Sequence, residues 1–171
     1  MRWGVLGLVG LGAFVAVMIV VGSLGEARPD VDPLTVEEVL AGGEPSERWG
    51  SDELHVTGWY AELDADCRGD AGGADASVAW LQRDCPLRVL LPRQPSEDVT
   101  QEELLADGIR LAAPLGNVFP SRAVPTGPNL RAGQLVFVGH FDDELAGSCI
   151  PERVDQCRNT LVVADYDELV R

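Results

Sequence analysis

Two rhythms of apolar residues divide this chain. From Trp3 to Leu24 they run without a single charged residue, rich in Val, Leu, Gly and Ala. Beyond that stretch they come in short bursts separated by residues that turn or break the chain. The first pattern is that of a membrane span: twenty-two residues at about 1.5 Å rise cover roughly 33 Å, the thickness of a bilayer core. A cleavable signal peptide has a shorter apolar stretch, about 7–15 residues. Residues 1–25 are therefore expected to be an uncleaved transmembrane signal-anchor, although Ser23-Leu24-Gly25 also fits a small-x-small cleavage site. Arg2 precedes the span and Glu26, Asp30 and Asp32 follow it, so retention of positive charge inside places the rest of the chain outside the cytoplasm.

The outer part starts with a linker, residues 26–33, holding two prolines. Thr35-Val36-Glu37-Glu38 has the form of a capping box, in which hydroxyl and carboxylate satisfy the orphan amides of a helix start. Leu34, Val36, Val39 and Leu40 supply its apolar stripe, and Gly42-Gly43 stops it within two turns. Strict alternation follows from Glu53 to Asp64, with Leu54, Val56, Gly58 and Tyr60 on one side and His55, Thr57, Trp59 and Ala61 on the other. That is a half-buried strand. Strands are also expected at Ser77–Gln82, Leu87–Leu91, Gln134–Phe141 and Thr160–Tyr166. Thr100-x-x-Glu103 opens a second short helix, and the four prolines between Pro114 and Pro128 mark an irregular crossing.

Five strands with a helix between the third and the fourth is the layout of an OB-fold, a five-stranded barrel. The fold class expected is thus mainly β: an OB-fold-like five-stranded barrel with short helices over residues 34–171, preceded by one transmembrane helix. A small β-sandwich is the alternative, because element order alone does not fix strand pairing. The helix-then-strand opening, together with Gly139-His140-Phe141-Asp142-Asp143, Cys149, Cys157-Arg158 and Leu161-Val162-Val163, resembles a recurring pattern of bacterial envelope proteins with an outward-facing OB-like domain. The resemblance implies location and fold, and it transfers no functional residue.

Charge and sulfur narrow the function. The net charge is −15, and every basic residue is an arginine. A field of that sign opposes nucleic acid and anionic headgroups. Cys67, Cys85, Cys149 and Cys157 make an even set in a chain carrying an export segment, which points to disulfides. Of three connectivities the sequence-local one, Cys67–Cys85 with Cys149–Cys157, is favoured. With no Cys-x-x-Cys pair and both histidines distant, zinc is disfavoured, as is redox catalysis.

His140-Phe141-Asp142-Asp143 is the most site-like stretch, able in principle to orient a general base or hold a metal. The plainer reading is a turn capped by the aspartates. Asp64 to Asp75 partly imitates a calcium loop, but Arg68 stands where an oxygen ligand belongs. No serine sits in a nucleophile elbow. The expectation is a membrane-anchored, extracytoplasmic interaction module without catalytic activity or cofactor, whose partner is another envelope protein or a cell-wall glycan. A small-ligand or divalent-cation (calcium) binding domain at the cell surface is the alternative.

Overall fold

The computed structural model describes residues 31–64, 77–114, 119 and 123–168. The expected membrane span and most of the acidic loop, Cys67 included, lie outside the described residues. Among those residues no helix is long and apolar enough to cross a membrane.

The chain runs β1 (Leu34–Thr35), α1 (Val36–Leu40), α2 (Pro45–Trp49), β2 (Leu54–Leu63), α3 (Ala79–Gln82), β3 (Leu87–Leu91), α4 (Gln101–Asp107), β4 (Ile109–Ala112), β5 (Val124–Pro125) and β6 (Leu130–His140). Two 3-10 turns, Ala146–Ser148 and Pro151–Arg153, then lead to α5 (Val154–Arg158) and β7 (Leu161–Glu168). The strands pair in the order β2-β3-β4-β7-β6, and β6 pairs back onto β2. This closes a five-stranded barrel and leaves no open edge within the ring. All contacts in the ring are antiparallel except β4 with β7.

The alternation seen in the sequence sorts side chains into three apolar clusters. Leu54, Val56 and Tyr60 of β2, Leu90 of β3, Ile109 and Leu111 of β4, Leu135 and Phe137 of β6, and Leu161 and Val163 of β7 fill the barrel. Ala61, Leu87, Val89, Leu91 and Leu130 face outward and are covered by Leu104 of α4. Ala112 of β4 and Val162 of β7 also face outward, under Leu81, Ala146, Cys149 and Cys157. Helix α1 joins the barrel core through Val36 and Val39, both fully buried. Gly58 makes that approach possible, since a Cβ there would lie 2.8 Å from both the Leu91 carbonyl oxygen and Val36 Cγ2.

Both capping boxes form. The Thr35 hydroxyl accepts from the Glu38 amide at 3.3 Å while Glu38 accepts from the Thr35 amide at 2.8 Å, and Thr100 with Glu103 repeats the arrangement. The expected strands at Leu87–Leu91 and Glu53–Asp64 match β3 and β2. Two expectations are corrected. Ser77–Gln82 holds the single-turn helix α3 instead of a strand, and the third strand of the barrel is Ile109–Ala112. Helix α4 accordingly stands between the second and third barrel strands. The strand expected from Gln134 begins four residues earlier, at Leu130, where it pairs with Leu63 of β2.

Candidate functional site

Three polar constellations stand out among the described residues, and only one of them is local in sequence. Strand β6 ends at His140, after a register shift between Val138 and Gly139. Phe141 turns into the core, fully buried. Asp142 takes a left-handed φ of 48°, which an aspartate tolerates better than most residues. Its carboxylate accepts from Arg158 Nε at 2.8 Å, and the Arg158 guanidinium holds the Asp142 carboxyl below its ordinary value. Asp143 accepts from the Leu145 amide at 2.9 Å, and its other oxygen lies 3.2 Å from His140 Nε2. Strand alternation would put His140 and Asp142 on one face, but the strand stops at His140 and the histidine meets Asp143. Ser51, Asp142, Asp143, Glu144 and Leu145 surround the histidine in an open depression. Asp143 caps the turn through the Leu145 amide, whereas the Asp142 carboxylate is engaged by Arg158 and caps no amide among the described residues.

The second constellation sits at one end of the barrel. The Tyr60 hydroxyl donates to Glu62 Oε2 at 2.8 Å, and the same oxygen accepts from Arg88 Nε at 2.9 Å. Glu62 and Arg88 are cross-strand partners of β2 and β3. The guanidinium lies 4.4 Å from the centre of the Phe119 ring, which stacks on Tyr60 with centroids 6.1 Å apart. Phe137 and Tyr166 continue the aromatic cluster. Burial, reinforced by the Glu62 charge, pushes the Tyr60 phenol well above its ordinary value.

The third lies on the outer side of β4. Arg110, 8% exposed, donates to Asp84 Oδ1 at 2.6 Å, and Arg153 Nη1 lies 2.6 Å from Asp84 Oδ2. Arg110 also donates to the Arg83 carbonyl, and Arg153 to the Gln82 carbonyl. Gln82 accepts from the Ile150 amide at 3.2 Å, while its buried Nε2 has no partner. Desolvation lowers the pKa of Arg110. One carboxylate thus joins two guanidinium groups from three separate segments. Sequence reading missed both this group and the Tyr60 set. The alternation Ile109-Arg110-Leu111 was the available signal: it marks Arg110 as an outward strand residue, whereas its partners come from remote loops.

The bridge Cys149–Cys157 is formed, and Cys85 is also disulfide-bonded. Among the described residues no cysteine is free and no group of three or more His, Cys, Asp or Glu side chains is placed to hold a metal. Apart from Asp64, whose amide donates to the Asn129 carbonyl, the calcium-like loop lies outside the described residues. Comparison with protein families, with curated proteins and with solved structures returns no match to this chain.

Proposed function

We propose that the chain is an extracytoplasmic interaction module, anchored in the cell membrane by its N-terminal segment, that recognises another envelope protein through its outer surface. The carrying observation is the closed barrel whose interior is filled by Tyr60, Phe137, Leu90 and their neighbours, so that recognition falls to the outside. The ring order and directions agree with an OB-fold, as does the likeness to envelope proteins noted in the sequence. OB barrels bind oligosaccharides and oligonucleotides on the face of their second and third strands, between two flanking connections. Here α4 covers β3 through Leu104, and the residues ahead of β7 cover β4 at Ala112. That covering favours a protein surface over a glycan chain as the partner, and the net charge of −15 disfavours nucleic acid. The oxidised Cys149–Cys157 pair supports an oxidising compartment.

The test places a photo-crosslinking residue at Leu105, Val124 and Leu145, large apolar residues of the barrel domain exposed to 36%, 65% and 37%, in the full-length chain in its native cells. One envelope protein captured from a subset of the positions is the expected result. Recovery of the uncrosslinked chain from all three, or binding of cell-wall oligosaccharide by the purified chain, would replace this reading with the ligand-binding one.

A further inference from the structure

We propose that the lobe covering the outer face of β4 and β7 is a redox-locked cover, which opens by local unfolding of its own segments while the barrel stays folded. The lobe consists of α3 with Asp84, ahead of β3, and residues 146–158, ahead of β7. It has its own apolar cluster, to which, among the described residues, the barrel contributes Ala112 and Val162. The barrel interior and the α4 face form separate clusters, so removing the lobe leaves both intact.

Apart from the disulfide at Cys85, next to Asp84, the further attachments seen among the described residues are polar. Arg110 of β4 meets the lobe through Asp84, and Asn159, which follows the lobe's last residue, donates to Glu44 and accepts from the Ser46 amide. Arg158 holds Asp142. On opening, such groups recover water, which offsets most of what their contacts contribute. A small apolar join with charged and hydrogen-bonded fastenings is the profile of a segment that opens locally below the global unfolding free energy.

The Cys149–Cys157 bridge opposes this opening. It lies wholly inside the lobe, tying the first 3-10 turn to α5 across a separation of eight residues, and it withdraws chain freedom from the opened state. Both sulfurs belong to buried residues, 6% and 0% exposed, so an external dithiol reaches them only once the lobe has opened. Reduction then breaks the Sγ–Sγ bond. The dithiol supplies two electrons and two protons, becomes a disulfide itself, and leaves two thiols that no longer hold the cover shut.

Amide exchange read by mass spectrometry on the full-length chain tests the idea. In Cys149→Ser/Cys157→Ser, exchange over residues 79–82 and 146–158 is expected to quicken at least about tenfold, with Leu54–Leu63 and Leu130–His140 unchanged. Exchange that rises equally across the barrel strands, including through failure to fold, would show lobe and barrel to be one cooperative unit and end the proposal. So would an unchanged lobe. A second measurement keeps the bridge: Asp84→Asn removes the ionic fastening, and dithiothreitol should then reduce Cys149–Cys157 at least about tenfold faster than in the parent under native conditions. An equal rate overturns the proposal as well.

Discussion

Tyr60 shows how a single side chain couples the barrel to pH. Its phenol is packed among Phe137, Phe119 and Leu90 and donates to a carboxylate already held by Arg88. Desolvation comes first, and the neighbouring Glu62 charge second, in opposing its ionisation. In the unfolded chain a tyrosine titrates near pH 10. Below that value both states keep the proton and the group has no effect on the pH dependence. Above it the unfolded state releases the proton while the barrel retains it, so stability falls as pH rises, by up to about 1.4 kcal/mol per unit. Tyr60→Phe removes this contribution and leaves the Glu62–Arg88 pair in place. Denaturant unfolding between pH 9 and 11 should therefore show a shallower decline in the variant. Parallel declines would mean that the phenol ionises as freely inside the barrel as outside it.

Among the secondary elements, the two capped helices carry different loads. Both begin with the same reciprocal Thr–Glu arrangement, and replacing an N-cap threonine by alanine costs about 1 kcal/mol. Helix α1 has only five residues, too few to persist without tertiary packing, and it places Val36 and Val39 directly in the barrel core. Helix α4 lies on the outer face through Leu104. Thr35→Ala and Thr100→Ala should each lower stability by about 1 kcal/mol in urea unfolding, and only the first should also loosen amide protection near Val56 and Gly58. A neutral Thr35→Ala would mean that packing alone holds α1.

These caps, the alternation of β2 and the His140–Asp143 turn were legible because each is written within a few consecutive residues. The misread elements lacked such local signals. Ala79–Gln82 is too short to show a period, and its single turn brings Leu81 into the lobe cluster. In β4 all four residues are buried: Ile109 and Leu111 face the core, while Arg110 and Ala112 lie beneath a lobe assembled from elsewhere in the chain. The Asp84–Arg110–Arg153 group could not be read for the same reason, since tertiary folding alone brings its three segments together.

For the molecule as a whole, the excess of negative charge works against compaction. Thirteen arginines face twenty-eight carboxylates, and several of the arginines are committed to single partners: Arg88 to Glu62, Arg158 to Asp142, Arg110 and Arg153 to Asp84. The carboxylates left over repel one another more strongly when folding draws them together. Salt weakens that repulsion across the surface, because the screening length shortens from about 30 Å at 0.01 M to about 8 Å at 0.15 M. The same salt also weakens exposed pairs such as Arg93–Asp107, whose side chains are 81% and 57% exposed. Such pairs contribute little to begin with, and the half-buried Arg88–Glu62 and Arg110–Asp84 contacts are screened least. The balance favours screening. Thermal unfolding of the barrel domain in the full-length chain should move to higher temperature as sodium chloride rises from about 10 to 150 mM. Sulfate at matched ionic strength would add a separate stabilisation by exclusion from the surface, so chloride is the discriminating salt. A midpoint that falls with chloride would mean that attractive pairs, not net repulsion, govern the stability of this acidic barrel.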